Sequence, residues 1–566
     1  MAATDTNKSS FPWLVNYPDF ANWSMALPET PVFKLLQDAV EKFPQNICME
    51  FLGREWTYTQ TDEMAAKAAK GFQSLGVCKG TRVGILLPNS PYYVMAFFGV
   101  ALAGGTVVNM NPLYTVRELE IMASDANIDV LITMDLATVY PKAVSLLGKT
   151  PIKKLVVCSM AKVLPLSKAI LLNFFNRSKI SDVEASRYHL LWDELTDNDG
   201  AYTPADIDPL QDIAVLQYTG GTTGLPKGAM LTHANLTTNA RQIASWNSAP
   251  EYGSESFLAA LPFFHVFAMT VVLLCGLECG ARIIMLPRFD LKDCLKTIDR
   301  KKPTMFPAVP TIYTAINNAP NVERYDLTSL KLCFSGGAAL PMNVKYAFEE
   351  RTGCVVIEGY GLSETSPVVC TNPMIGKNKP GSVGLPMPGT IIEIRSLEDD
   401  RLLDLGEKGE ICVRGPQVMK GYWNREKETA EAMKGGAFHT GDIGYMDAEG
   451  YVFIVDRIKD MINASGYKIY PRVVEEAIQL HPAVEEVVVV GVDDPYRGQT
   501  PKAFIKIRIG EQLSEGELRI FLEDKLSTIE RPQFYEFRDE LPKTLIGKLS
   551  KKELREEHAA TTTNNV

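Results

Sequence analysis

Apolar runs of strand length recur along the first half of the chain: RVGILL (82–87), DVLITM (129–134), KKLVVC (153–158) and ARIIML (281–286). They are apolar on consecutive positions rather than alternate ones, as strands covered on both faces are, and stretches of helical length separate them. That rhythm predicts parallel sheets flanked by helices. After about Gly381 the texture changes to short extended runs divided by turn signals: TIIEIRS (390–396), GEICVRG (409–415) and DAEGYVFIVDR (447–457). Past Arg457 the pattern begins again with a helix from Pro471 to Leu480, strands VEEVVVVGV (484–492) and KAFIKIRI (502–509), a helix from Ser514 to Leu526, and a last strand before Pro542. The expected fold class is α/β. A large N-terminal domain of helix-covered β-sheets (1–456), with a small β-rich subdomain at about 381–456, is followed by a small mobile α+β C-terminal domain (457–566). The charged run DRIKD (456–460) is the expected hinge, and the polar end from about 557 to 566 the expected disordered tail.

Two longer apolar stretches start at Tyr92 and Phe263. Gly104 and Gly105 break the first, and the second falls short of the roughly twenty residues a bilayer span needs. Both read as buried helices.

Residues 218–233, YTGGTTGLPKGAMLTH, carry the sharpest local signal. Gly220, Gly221 and Gly224 can adopt backbone conformations closed to other residues, so that successive N–H groups converge on an anion. Thr219, Thr222 and Thr223 add hydroxyl donors and Lys227 a compact positive charge. With the apolar run Ile213 to Leu216 before it and a helix expected from Asn235, the loop is placed between a strand and a helix, where anions bind. It is not the common NTPase loop, because Lys227 is followed by Gly228 rather than Ser or Thr.

Composition narrows the classes. The chain has 566 residues, 46% of them hydrophobic and 22% charged, and a net charge of −10. That balance argues against nucleic acid as a partner, which needs a basic surface. Ten cysteines contain no C-x-x-C pair, and six dispersed histidines suggest no metal cage. The first residues lack the apolar core of a secretory signal, so the expected location is cytoplasmic.

Five further motifs, in fixed order, carry a resemblance: LPFFHVFAM (261–269), SGGAAL (335–340), EGYGLSET (358–365), HTGDIG (439–444) and LPKTLIGKLSK (541–551). With the phosphate loop, they make the chain resemble an acyl-CoA synthetase of the acyl-adenylate-forming superfamily, similar to bacterial medium- and long-chain fatty acid–CoA ligases, from about residue 30 to 555. The resemblance implies fatty acid, ATP, Mg2+ and CoA as substrates and cofactors. It implies that Thr219, Gly220, Gly221, Thr222, Thr223, Gly224 and Lys227 hold the β- and γ-phosphates, and that His265 borders the acyl pocket and the thiol route. Gly336, Gly337 and Ala338 would line the adenine site together with Gly359, Tyr360 and Gly361, Tyr360 stacking on the base. Ser363 would donate to a phosphate oxygen and Glu364 ligate magnesium. Asp442 and Arg457 would hold the ribose, Lys459 would sit at the hinge, and Gly466 would border the pantetheine tunnel. Lys548 would neutralise charge as the acyl-AMP forms. A CoA ligase for an aryl or dicarboxylic acid, and an acyl-AMP ligase loading a carrier protein, remain alternatives.

Two positions depart from that family's pattern. Ala437 stands where its fatty acid ligases usually place Trp, and Met269 where one relative has a gating Trp. Segment 162–180 carries Lys162, Lys168, Arg177 and Lys179, no acid, and several large apolar residues. It reads either as a peripheral contact with an anionic membrane, on the inner face, or as a helix packed on the body of the protein or on a second copy, as in a homodimer.

Overall fold

The computed structural model describes residues 11–175, 177–184, 186–219, 226–246, 252–465, 467–494, 496–544 and 549–563. The continuously apolar runs form the expected parallel core. Arg82–Leu86, Thr106–Asn109, Val130–Met134, Lys154–Cys158, His189–Leu191 and Ile213–Thr219 run parallel in a seven-stranded sheet, closed on one edge by antiparallel Lys227–Thr232. A second layer starts at Arg54–Thr57 and passes through Ile47–Phe51, Arg282–Met285 and Ser256–Ala259. There Met305 bridges Phe257 and Leu332, so the layer continues into Leu332–Ser335 and Val355–Gly361.

Both long apolar stretches are core. Every residue of the helix Pro91–Leu102 is buried, and Met269–Leu274, a π-helical turn, is buried throughout. Among the described residues no helix is long and apolar enough to cross a membrane. Helix Pro91–Leu102 packs closely on Tyr58–Ser74, and a Cβ added to Gly99 would lie 2.7 Å from the Ala68 Cβ.

The β-rich region is an antiparallel sheet of Ile391–Arg395, Gly409–Arg414, Phe438–Met446 and Val452–Arg457. A 3-10 turn, Ile458–Asp460, follows it. Beyond lie a sheet of Tyr467–Ile469, Ile462–Ala464, Gly498–Ile507 and Val484–Asp494, with Phe534–Phe537 beside Gly498–Ile507, and the helix Pro471–Gln479. These elements have apolar cores of their own, around Ile478, Val489 and Leu518 on one face and Val490, Phe504 and Leu554 on the other.

Three local expectations differ from the structure. The helix expected from Ser514 to Leu526 spans only Glu515–Phe521, capped by the Ser514 side chain accepting from Glu517 N–H. The end expected to be disordered from 557 is helical, in Lys551–Thr563, because Leu554 is buried and Arg538 pairs with Glu557 at 2.6 Å. The phosphate loop joins two antiparallel strands, with the helix His233–Trp246 following the second of them, rather than a strand and a helix.

Gly99→Leu is expected to destabilise the protein by about 3 kcal/mol, since the two helices must part or the side chain strain. A thermal unfolding midpoint equal to the parent's would contradict this packing.

Candidate active site

The hairpin of Ile213–Thr219 and Lys227–Thr232 presents Thr219 and Lys227 as its last cross-strand pair, with the Thr219 hydroxyl donating to the Lys227 carbonyl at 3.4 Å. Gly220, Gly221, Thr222, Thr223 and Gly224 lie outside the described residues. Segment 419–423 runs along the outer edge of the second strand. Met230 N–H donates to the Gly421 carbonyl (2.9 Å), Lys420 N–H to Met230 (2.9 Å) and Trp423 N–H to Gly228 (2.8 Å). This seats the Tyr422 ring with its centroid 5.1 Å from Lys227 Nζ. Its hydroxyl donates to Glu364 Oε1 at 2.8 Å.

Glu364 occupies a 3-10 turn, Ser363–Thr365, directly after the strand Val355–Gly361. The backbone allows no side chain at Gly361, where a Cβ would be 2.0 Å from the Pro367 carbonyl oxygen. Met419 N–H donates to the Glu364 carbonyl at 2.8 Å, so segment 419–423 grips this turn as well as the hairpin. Burial raises the Glu364 pKa, opposed by the Tyr422 hydrogen bond. A hard carboxylate oxygen, fixed in place where its charge is poorly solvated, is the donor a divalent magnesium ion would satisfy, so the residues present fit the metal the resemblance implies.

One strand position before Gly361, the buried Tyr360 hydroxyl donates to Asp442 Oδ2 at 2.6 Å. Arg457 Nε lies 3.1 Å from Asp442 Oδ1, and the two residues face each other across adjacent strands. Asp442 is only 3% exposed. Its carboxylate raises the Arg457 pKa, and burial raises that of Tyr360 still further above its ordinary value. Both Asp442 oxygens are engaged, each with a lone pair remaining for a further donor such as a ribose hydroxyl. Glu364 feels the charges of both Arg457 and Asp442, so the two clusters share one electrostatic neighbourhood.

The turn carrying Asp442 is braced by Glu410. Its Oε1 accepts from Gly441 N–H (2.9 Å) and its Oε2 is 2.8 Å from His439 Nδ1. Cys412 completes the one group among the described residues where His, Cys and Glu donor atoms converge, which the dispersed sequence positions did not suggest. Burial pushes the Cys412 thiol up, keeping it protonated, and the arrangement is a hydrogen-bonded brace.

Gly336 is buried against Phe267 (a Cβ would meet Cζ at 3.2 Å), while Gly337, at φ +83°, and Ala338 are exposed. The loop they form is held by Glu358, whose Oε1 accepts from Leu340 N–H at 3.2 Å. Gly359 lies against the Cys370 carbonyl across the strand. Ser363 is half-buried beside Glu364. The His265 Nδ1 accepts from Phe267 N–H at 3.3 Å, capping the short helix Val266–Ala268. Met269 is buried, with the Asn109 amide nitrogen 3.3 Å from its sulfur, and Ala437 is buried too. Lys459 is exposed on the turn Ile458–Asp460. Gly466 and Lys548 lie outside the described residues; the segment containing Lys548 is flanked by a bridge between Lys543 and Leu549.

Sequence reading missed Tyr422 and Glu358. Nothing in the spacing of MKGYW marks Tyr422, because its place depends on an edge pairing with a strand almost two hundred positions earlier. Glu358 was within view as the first residue of EGYGLSET, but its partner is a backbone N–H that no sequence pattern reveals.

The chain belongs to the AMP-binding enzyme family. The family's enzyme domain matches residues 36–423 and its C-terminal domain residues 473–548. Over 553 residues the chain is 44% identical to the long-chain-fatty-acid–CoA ligase of Bacillus subtilis (strain 168), covering 97% of this chain and 98% of that one. Among solved structures, ATP-bound MatB from Rhodopseudomonas palustris superposes with a TM-score of 0.81 at 26% identity, covering 94% of this chain and 99% of that one. The anthranilate CoA ligase AuaEII in complex with anthranoyl-AMP gives a TM-score of 0.80 at 27% identity, covering 95% and 99%.

Burial pushes the Glu358 carboxyl up from 4.5 to about 7, against the pull of Arg472 and of the Leu340 N–H. Between those values the folded protein holds a proton the unfolded chain has released, so this group's contribution to stability falls as pH rises. Glu358→Gln keeps the acceptor but cannot ionise. It is expected to be more stable than the parent above pH 7, on the order of 2 kcal/mol, with the advantage fading as pH falls toward 4.5. Unfolding midpoints of the two proteins across that range check the sign.

Proposed function

We propose that this protein activates a medium- to long-chain fatty acid in two half-reactions. In the first, a carboxylate oxygen attacks the α-phosphorus of ATP, forming acyl-AMP and expelling pyrophosphate. In the second, the CoA thiol loses its proton to solvent and attacks the acyl carbonyl, releasing AMP with the bonding electrons. The observation that carries this reading is the convergence of Lys227, Glu364, Asp442 and Arg457, far apart in sequence, on one neighbourhood through Tyr422 and Tyr360. The near full-length likeness to a long-chain-fatty-acid–CoA ligase supports the choice of acid.

In this reading Lys227 and the loop residues Thr219, Gly220, Gly221, Thr222, Thr223 and Gly224 hold the β- and γ-phosphates, with Ser363 donating to a phosphate oxygen. Glu364 holds magnesium, which when bound offsets the polyphosphate charge. Tyr360, Gly336, Gly337, Ala338, Gly359 and Gly361 receive the adenine, while Asp442 and Arg457 hold the ribose. His265 and Met269 border the acyl chain, the flexible Met suiting an apolar tunnel. The chemistry needs no enzyme nucleophile; positioning and charge neutralisation do the work. The domains divide at the hinge 456–460, where Lys459 sits. Rotation of the small domain about this hinge exchanges Lys548, which serves acyl-AMP formation, for Gly466, which leaves room for the pantetheine arm.

Two experiments test this. AMP release with MgATP across acids from acetate to oleate, plus aryl and dicarboxylic acids, should require CoA and peak with medium or long chains. Acid-dependent pyrophosphate exchange indifferent to CoA would point to a carrier protein instead. Lys548→Ala should lower acyl-AMP formation at least about 100-fold, the scale of losing one charge-stabilising donor, while sparing thioester formation from supplied acyl-AMP. Equal loss of both half-reactions would refute the division of labour.

The substrate collects in bilayers, and the helix Leu166–Phe175 offers a surface for one. Leu166, Ile170 and Leu171 are 78%, 49% and 51% exposed. Lys168 and Lys179 add positive charge, whereas Lys162 pairs with Asp193 and Arg177 with Asp182. Leu166→Ser/Ile170→Ser/Leu171→Ser should abolish co-sedimentation with phosphatidylglycerol vesicles. If vesicle binding persists and the solution mass halves, the face belongs to a homodimer.

A further inference from the structure

We infer that Tyr422 is a positioning residue for the first half-reaction, fixing the metal-binding carboxylate and the phosphate-loop lysine relative to one another. The inference rests on the roles proposed above for Glu364 and Lys227. Those residues lie on separate layers, Lys227 at the edge of the seven-stranded sheet and Glu364 beyond the end of Val355–Gly361. Tyr422 touches both, through its hydroxyl to Glu364 Oε1 at 2.8 Å and through the ring face 5.1 Å from Lys227 Nζ. Its own backbone is fixed independently of either side chain. Tyr422 N–H donates to the Thr429 hydroxyl at 2.9 Å, Tyr422 bridges Ala229, and the flanking residues pair with Gly228 and Met230.

Each contact has a distinct chemical effect. The phenol leaves one Glu364 oxygen engaged and orients the carboxylate, as the outer-shell partners of metal ligands do. The ring attracts the ammonium of Lys227 without neutralising it, keeping a full positive charge for phosphate. A carboxylate in that place would have paired with the lysine and competed with the nucleotide. Tyr422 therefore sets the distance between two charges that must act on the same polyphosphate, and touches none of the reacting atoms.

The test uses the full chain with Mn2+ in place of magnesium, titrated in the presence of ATP and absence of acid and followed by electron paramagnetic resonance, so that no turnover is needed. Tyr422→Phe, which keeps the ring and the backbone pairing, should raise the Mn2+ concentration for half-saturation about 10-fold or more. Tyr422→Leu should in addition weaken ATP binding about 3-fold, as the lysine loses its aromatic face. Neither should change thioester formation from supplied acyl-AMP and CoA by more than about 2-fold. Glu364→Gln is run alongside. If it weakens Mn2+ binding and Tyr422→Phe does not, the positioning role is overturned. If neither weakens it, Glu364 is not the metal ligand, and the proposed role falls together with this inference. Equal loss of both half-reactions in Tyr422→Phe would mark a general structural role and overturn it as well.

Discussion

A carboxylate almost wholly withdrawn from water, as Asp442 is, is tolerable only when opposite charge and hydrogen bonds replace its hydration. Here the replacements come from two directions. Tyr360 reaches it from the end of the strand that continues the second sheet layer, and Arg457 from the last position of the antiparallel sheet before the chain turns away. The hydrogen bond from Tyr360 thus fastens the β-rich region to the parallel body, while the ion pair with Arg457 ties two neighbouring strands of that region, at the point where the proposed nucleotide site lies. Removing any one of the three would leave a buried charge or hydroxyl without its partner, so the geometry is fixed jointly rather than residue by residue. Glu410 adds a second constraint on the same turn through Gly441 and His439.

The broad architecture was legible because burial on both faces leaves an unambiguous imprint. Runs such as DVLITM and KKLVVC hold apolar residues on consecutive positions, Val130 to Ile132 and Leu155 to Cys158, and the structure places them side by side in the sheet. Helix Pro91–Leu102 was equally plain from its lack of polar positions. What misled was local continuation. Residues 227–232 read as part of the phosphate loop ahead of the helix expected from Asn235, and only their pairing with Ile213–Thr219 makes them a strand. The C-terminal end was read as disordered from its polar letters. The helix there is held by one buried leucine and by ion pairs to distant residues, Arg555 to Asp460 among them.

The site shows the same division. Residues proposed to act by chemical type within a contiguous motif, such as Glu364 or Asp442, could be picked out in the sequence with the help of the family likeness. Residues that act by standing between motifs could not. Tyr422 is visible only once strands distant in sequence are laid next to one another, because the role inferred for it is a distance rather than a functional group, and the contact of Glu358 with the Leu340 N–H is set by the fold rather than by the motif that contains Glu358.

The position of Arg457 bears on what happens between the two chemical steps. It ends the strand Val452–Arg457 and is anchored to Asp442, while the turn Ile458–Asp460 starts immediately after it. In the proposed cycle the moving part begins one residue beyond a fixed post. The nucleoside end of the activated acid would therefore stay moored while everything downstream swings, so a reactive anhydride need not be let go and recaptured when the second substrate arrives. Its escape into water, where it would simply hydrolyse, is then limited by the mooring rather than by the speed of the swing.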